Sequence, residues 1–191
     1  MTKYLVMLSL CVNVSGCMTT PALPETERPQ HWGQSMQPEH NFYQISKTIF
    51  RSEQPDQNLV QSLKAQKIDV IINLRSRNQD LKKLSNQGFE LVHIPIHTWA
   101  IDREDLLKVM QQNQQKVLLH CYHGSDRTGA SVAMYRIIFQ NWSTTDALAE
   151  MKHGGYGFHP IWQNIDPLFS PENIRWIQQL LLNPFYIFRA E

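Results

Sequence analysis

Apolar and polar positions form two different patterns along the middle of the chain, continuous apolar runs and helical spacing. The run 68–74 is continuous and rich in branched side chains, which is typical of a strand buried on both faces of a parallel sheet, and 117–121 repeats the pattern. Residues 42–52 predict two shorter strands, and 89–96 predict another. Helical spacing appears in the stretches between and after these runs, which are 52–66, 78–88, 102–114, 128–140, 143–155 and 170–182. This order predicts an α/β fold with a mostly parallel central sheet.

Residue types at the ends of these stretches indicate where the helices begin and end. Pro55 is expected in the first turn of its helix, and Gly88 is expected to close the next one. Asp102 is placed as the N-cap of the third helix, with acidic residues in the turn that follows. Ser170 and Pro171 form the start of the last helix. These signals support the helices independently of the apolar pattern.

The N-terminus has the pattern of an export signal. Lys3 precedes an apolar run, 4–14, that is too short to span a bilayer permanently. The sequence VSGC, residues 14–17, resembles the bacterial lipoprotein box, and this resemblance implies cleavage before Cys17 and acylation of that cysteine. The alternative is an ordinary secretory signal cut near Gly16. Residues 1–16 are therefore predicted to be a signal peptide.

Four prolines lie in residues 18–40, a segment with little apolar periodicity. Residues 17–40 are therefore predicted to be a lipidated tether, and residues 41–191 the folded domain. The expected location is the periplasmic face of the cell envelope. Met18, rather than an aspartate, follows the predicted lipid site, which by analogy favours the outer membrane.

Composition limits the possible partners. The 191 residues are enough for one domain with a substantial core. The formal net charge of +1 gives no basic surface for nucleic acid, so a charged substrate must be attracted by a local site. Cys11 and Cys17 lie in the N-terminal segment, which leaves Cys121 without an internal disulfide partner.

The sequence HCYHGSDRTG, residues 120–129, connects a predicted buried strand to a predicted helix. Ligands of α/β sheets bind beyond the carboxyl ends of strands, and a helix N-terminus offers free amides and partial positive charge. The same field favours the thiolate of Cys121. Arg127 adds paired donors for a tetrahedral oxyanion, and Gly124 permits a tight curl and close approach of a ligand. The pattern predicts a phosphate site with a cysteine nucleophile.

The same residues match the HCxxGxxR[ST]G signature of cysteine-dependent protein tyrosine and dual-specificity phosphatases. Further segments resemble small bacterial, in part exported, members of the dual-specificity group, over about residues 41–160. The resemblance implies the phosphatase fold, a twisted central sheet flanked by helices, and neither metal nor cofactor. It implies that the phosphate-binding loop consists of Tyr122, His123, Gly124, Ser125, Asp126 and Arg127. His120 is expected to orient this loop, and Thr128 to place its hydroxyl near the sulfur.

Other interpretations of the loop are a structural cysteine, a sulfur-carrier loop and a zinc site. The zinc site is disfavoured because His120 and Cys121 are adjacent in a strand and point to opposite faces. Its remaining candidate ligands would be His93, His97 and His123.

Cleavage of a phosphate monoester needs an acid that protonates the leaving oxygen. In the resembling family this is an aspartate on the loop after the preceding strand, and Asp102 and Asp105 are the candidates here. Asp102 is favoured because it lies in the loop before the helix, although a plain N-cap role would also explain it. The expected reaction is attack by Cys121 followed by hydrolysis of a phosphocysteine.

The substrate is less well specified than the chemistry. None of the variable loop residues Tyr122, His123, Ser125 and Asp126 is lysine or arginine, which favours a singly phosphorylated protein, phosphotyrosine first, over a polyanion. A phosphoinositide or inositol-phosphate phosphatase and a non-catalytic phosphopeptide-binding module are the alternatives. The sequence GGYGFH, residues 154–159, either lines the mouth of the site or packs on the preceding helix.

Overall fold

A computed structural model of the chain describes residues 18–112 and 115–183. The predicted signal peptide and the predicted lipid site Cys17 lie outside the described residues. No helix in the described ranges combines the length and the apolar character needed to cross a membrane.

A six-stranded sheet forms the centre of the molecule, in the order β1-β2-β3-β6-β4-β5. Four strands, β3, β6, β4 and β5, are parallel, and β1 and β2 extend the sheet as antiparallel strands. The mostly parallel sheet predicted from the apolar runs is therefore confirmed. The strands are β1 (Gln34–Gln37), β2 (Phe42–Gln44), β3 (Ile49–Ser52), β4 (Val70–Asn73), β5 (Glu90–His93) and β6 (Val117–His120).

Helices cover both faces of the sheet because the central strands bury side chains on both sides. One apolar cluster contains residues of α1 and α2, and the larger cluster contains residues of α3, α4, α5 and α6. The helices are α1 (Gln57–Ala65), α2 (Asp80–Leu84), α3 (Arg103–Met110), α4 (Asp126–Gln140), α5 (Thr144–His153) and α6 (Pro171–Leu182).

Several helix boundaries match the capping signals, and others shift. Asp102 caps α3, and Ser170 caps α6 with Pro171 at its first position, as predicted. Pro55, however, lies outside α1, because Asp56 accepts hydrogen bonds from the amides of the first turn and is the N-cap. Gly88 does not close α2, which already ends at Leu84.

The prediction of a free tether up to residue 40 is wrong for the described part of that segment. β1 pairs with β2, and the side chain of Trp32 is buried. The Thr20 amide donates to Phe158 O at 2.7 Å, and the Leu23 amide donates to His153 O at 2.9 Å. Periodicity could not predict this order, because the segment is held by backbone hydrogen bonds, which leave no pattern in the side chains.

Candidate active site

The connection between β6 and α4 is the candidate site. Cys121 directly follows β6, whose register with β3 and β4 places it at the carboxyl edge of the parallel strands. Its side chain is only 3% exposed. Helix α4 begins at Asp126, two residues earlier than the apolar pattern predicted, so the loop 121–125 curls directly into the helix N-terminus. This is the strand–loop–helix arrangement expected for an anion site.

Gly124 is required by the path of this loop. Its φ is +72°, and a Cβ there would lie 2.4 Å from Ser52 O at the end of β3. The sequence predicted a glycine that lets a ligand approach closely. The structure shows that the close neighbour is the backbone of β3, so that Gly124 lets the loop fold down onto the sheet.

Arg127 is half-buried in the first turn of α4. Its Nη1 donates to Leu74 O at 3.3 Å and to Ile96 O at 3.1 Å, the carbonyls just beyond β4 and β5. Within the described ranges, Nε and Nη2 of Arg127 make no hydrogen bond to protein. One edge of the guanidinium is thus fixed by the sheet, and the remaining donors are available to an oxyanion.

Thr128 and His120 lie on either side of the loop in sequence, and both are fully buried. The Thr128 hydroxyl has no hydrogen-bond partner among the described residues. His120 Nε2 lies 2.7 Å from Asp80 Oδ2, and its Nδ1 lies 3.2 Å from Cys121 O. His120 therefore contacts the backbone of the cysteine on one side and a carboxylate on the other, in agreement with an orienting role.

Asp80 was not identified from the sequence, because an aspartate at the start of a helix is explained by the helix dipole alone. It is buried at the N-terminus of α2, where Gln54 Nε2 also donates to it at 2.8 Å. Burial raises the pKa of Asp80, but its interactions with His120, the Gln54 hydrogen bond and the charge of Arg75 together outweigh burial, so the pKa lies below its ordinary value.

Asp126 is a second carboxylate whose role the structure changes. It belongs to the predicted phosphate-binding loop, but it is buried and accepts a hydrogen bond from the His159 amide at 2.9 Å. The His159 Nδ1 lies 2.9 Å from its other oxygen. Its charge therefore faces His159 rather than a ligand. Asp126 therefore gives no reason to exclude a polyanionic substrate.

The mouth of the site is aromatic. Tyr122 is exposed, its ring lies 4.6 Å from that of His123, and the Arg75 guanidinium lies 4.9 Å from the centre of the Tyr122 ring. Trp99 is 67% exposed on the segment before α3, so it belongs to the surface and not to the core. Ser125, two residues after His123 in the loop, is buried.

The segment GGYGFH is divided between packing and the site. Tyr156 and Phe158 are buried, which agrees with packing on α5, whereas His159 reaches the phosphate loop through Asp126. Asn41 ties the two segments together, because its Nδ2 donates to His123 O at 2.8 Å and to Tyr156 O at 3.0 Å.

The two candidate acids form a capping box at the N-terminus of α3. Asp102 Oδ1 accepts from the Asp105 amide at 2.8 Å, and the Asp102 amide donates to Asp105 Oδ2 at 3.4 Å. Asp102 is exposed and Asp105 is partly buried. Burial and the nearby charge of Asp102 raise the pKa of Asp105 above its ordinary value. The choice between them stays a prediction, because both side chains are held at one helix terminus.

Beneath the loop lies Arg51, a fully buried arginine of β3 that the sequence reasoning did not identify. Its Nη2 donates to Gly124 O at 2.5 Å.

No group of three or more His, Cys, Asp or Glu side chains in residues 18–112 and 115–183 is arranged to hold a metal ion.

Comparison with protein families gives one match that covers more than half of the chain. Residues 36–154 match the model of a tyrosine phosphatase family. The chain belongs to this tyrosine phosphatase family. The match begins five residues before the predicted domain start and includes β2 to α5 together with the loop.

Two kinds of relative stand out. The dual specificity protein phosphatase TpbA of Pseudomonas aeruginosa is 34% identical over 135 residues, which cover 68% of this chain and 62% of TpbA. An inositol diphosphatase of rice, DSP2, is 30% identical over 131 residues, covering 61% and 62% of the two chains. The alignments thus span about three fifths of the length of these curated relatives.

Solved structures agree with the fold. The crystal structure of TpbA in complex with phosphotyrosine, a cysteine-to-serine variant, is 28% identical with a TM-score of 0.73, covering 82% of this chain and 99% of that one. The core catalytic domain of the PP-IP phosphatase Siw14 from S. cerevisiae, solved with citrate, is 25% identical with a TM-score of 0.58, covering 73% of this chain and 91% of that one. The predicted phosphatase fold is therefore confirmed.

Proposed function

We propose that the protein is a phosphate monoester hydrolase that acts on phosphotyrosine in proteins, with phosphoserine and phosphothreonine as secondary candidates, through a phosphocysteine intermediate. The observation that carries the proposal is the geometry around Cys121. A buried cysteine lies just before the N-terminus of α4, and Arg127 in the first turn of that helix is fixed to the sheet through Nη1 only, which leaves its other donors for an oxyanion. Family membership and the phosphotyrosine complex of TpbA support the choice of reaction and substrate.

The reaction proceeds in two steps. The Cys121 thiolate attacks phosphorus and forms a P–S bond while the P–O bond to the tyrosine oxygen breaks, and the proton of Asp102 passes to that oxygen. Water then attacks phosphorus and gives its proton to the same carboxylate, and the P–S bond breaks to release phosphate and the thiolate. Arg127 and the loop amides stabilise the equatorial oxygens in both steps.

Replacing the nucleophile gives the strongest test of the reaction. Cys121→Ser should abolish turnover of an aryl phosphate, because a serine hydroxyl at this position has no base to activate it. Wild-type protein should show a burst of phenol product in the first turnover and inhibition by vanadate. Normal turnover by the serine variant would disprove the mechanism. Tight phosphopeptide binding without turnover by wild type would instead support a binding module.

The identity of the acid needs a matched pair of variants. Asp102→Asn should lower kcat by about 10²-fold or more, which is the usual contribution of a general acid. It should do so least for a nitrophenyl ester, whose leaving group needs no proton. Asp105→Asn should cost less, since its part is to hold Asp102 and α3. If only Asp105→Asn shows the dependence on the leaving group, the acid is Asp105.

An inositol phosphate or diphosphate is the second candidate substrate. The relatives DSP2 and Siw14 favour it. The orientation of the Asp126 carboxylate is also compatible with it, because that carboxylate faces His159 and not the ligand. A panel of phosphotyrosine peptide, phosphoserine peptide and an inositol diphosphate separates the two. The larger kcat/KM for phosphotyrosine peptide is expected, because the exposed Tyr122 ring offers an aromatic wall to a phenyl ester.

The location is proposed from the N-terminal sequence. Cys17 would be acylated and would hold the protein on the periplasmic face of the envelope, at the outer membrane. Since residues from Thr20 onward bond to the domain, only a few residues would separate the lipid from the folded body. Cys17→Ser should move the protein from the membrane fraction to the soluble fraction, and mass spectrometry of the membrane form should find acyl chains on Cys17.

A further inference from the structure

We propose that Arg51 is a positioning residue of this site, which holds the carbonyls of the phosphate loop inward and supplies a buried positive charge that stabilises the Cys121 thiolate. The inference rests on the proposed function and adds a second arginine to it. Arg127 presents donors to the ligand, whereas Arg51 acts from below the loop.

The register of the sheet places Arg51 beneath the site. Arg51 pairs with Leu119 in the parallel ladder of β3 and β6, so both side chains stand on one face of the sheet. Cys121 follows Leu119 by two residues and continues on that face. A Cβ on Gly129 would lie 3.9 Å from Arg51 Nη2, which locates the guanidinium under the first turn of α4.

The contacts of Arg51 orient the loop. Nη2 donates to Gly124 O at 2.5 Å and to Ser125 O at 3.4 Å. When successive carbonyls of a tight loop turn toward the sheet, the neighbouring amides turn outward, where an anion binds. Arg51 therefore helps to create the amide cradle without touching the ligand.

The charge of Arg51 lacks an ordinary partner. The guanidinium is completely buried, and no carboxylate of the described residues lies within 4 Å of it. Its Nε and Nη1 make no hydrogen bond among these residues. The closest compensation is the Tyr156 ring, 3.7 Å from Arg51 Cζ. The Tyr156 hydroxyl donates to Glu150, but Glu150 is itself paired with Arg136 at 2.7 Å.

A cation at this position is unfavourable unless an anion joins it. Burial lowers the pKa of Arg51, and the positive end of α4 lies directly above it. Both costs fall when a negative charge enters the loop, first as the thiolate and then as the phosphoryl group. Negative charge on Tyr156, on Glu150 and on Cys121, in that order, favours protonated Arg51.

Alkylation of Cys121 tests the inference without any substrate. The rate with iodoacetamide is measured against pH for wild type, Arg51→Met and Arg51→Lys. In Arg51→Met alkylation at about pH 6 should be several-fold slower than in wild type, because the thiolate loses a nearby opposite charge. In Arg51→Lys the half-point of the pH profile should lie between those of wild type and Arg51→Met, because a buried lysine loses its proton more readily than an arginine does. Arg175→Met, which removes an exposed arginine of α6, is the control for loss of charge alone.

The outcomes separate this inference from the proposed function. Equal half-points in folded wild type and Arg51→Met would overturn it, whatever the phosphatase activity. A shifted half-point in a protein without phosphatase activity would leave the inference standing and reject the function. If Arg51→Met does not fold, Arg51→Lys decides. A lysine lacks the planar guanidinium that lies on the Tyr156 ring and donates to Gly124 O, so kcat should fall about tenfold or more at a near wild-type Tm. Unchanged kcat would contradict the proposal.

Discussion

Two histidine–aspartate pairs hold the phosphate loop, one at each end, and they differ in burial. The His120–Asp80 pair precedes the loop and is almost completely buried, with side chains 0% and 2% exposed. The Asp126–His159 pair follows the loop and is 12% and 16% exposed. The contact distances are similar, 2.7 Å and 2.9 Å.

The difference in burial separates their roles. Loss of one partner in a fully buried pair leaves an uncompensated charge or an unpaired donor without water, whereas a partly exposed pair can be replaced by solvent. His120 also belongs to β6 and contacts the cysteine backbone, so a change there reaches the nucleophile directly. The second pair joins the loop to the segment after α5, and it governs how firmly the rim is held.

The largest effect is expected from the buried pair. Asp80→Ala should lower the free energy of unfolding by about 3–5 kcal/mol, since it leaves His120 buried without its partner. The aryl phosphatase kcat should also fall by about tenfold or more, which corresponds to 1.4 kcal/mol or more in the barrier. Urea unfolding and steady-state kinetics measure the two effects.

Asp80→Asn provides the matched variant for this prediction. It keeps an acceptor for His120 Nε2 and removes only the charge, so its loss of stability should be intermediate. If Asp80→Ala were as stable and as active as wild type, the buried pair would have no positioning role.

Asp80 shows which part of the site could not be predicted from the sequence. Local rules predicted the strands, most of the helices and the Cys121–Arg127 loop, because apolar periodicity, caps and a strand–loop–helix motif act over short stretches. Asp80 and Arg51 act on the loop from distant positions, 41 and 70 residues before Cys121. Each has an ordinary local explanation, Asp80 as an acid at a helix start and Arg51 as a charged residue at the end of a short strand. Only the strand order brings them to the site.

The prediction of a tether in the N-terminal segment was wrong for a related reason. Its prolines and polar residues suggested a linker. The hydrogen bonds that hold it on the domain use backbone groups, among them the Gly33 amide, which donates to Glu150 Oε1 at 2.6 Å. Such bonds depend on the partner surface, which a one-dimensional pattern does not describe.

A smaller effect on the free energy of unfolding is expected at acid pH, and it should come from the buried His120–Asp80 pair. Since the folded pKa of Asp80 is lowered, its contribution to stability is complete above the unfolded value of about 3.9 and is lost as the pH falls through the lower folded value. The stability advantage of wild type over Asp80→Asn should therefore shrink between pH 5 and pH 3. Urea unfolding at the two pH values measures it. An advantage that grows toward pH 3 would mean that the carboxyl binds its proton more tightly in the folded state.

The smallest effect is expected from the exposed pair. Asp126→Asn keeps one oxygen for the His159 amide and loses the charge facing the ring, so the cost in stability should be about 1 kcal/mol. The loop is held by Arg51 of β3, and Arg127 is held by the carbonyls just beyond β4 and β5, so neither depends on Asp126. We therefore expect kcat to change little and KM to rise by a fewfold as the rim loosens. His159→Gln tests the same contact from the other side and should raise KM similarly. A drop in kcat as large as that of Asp80→Ala would show that the two pairs act on the nucleophile alike, and burial would not separate their roles.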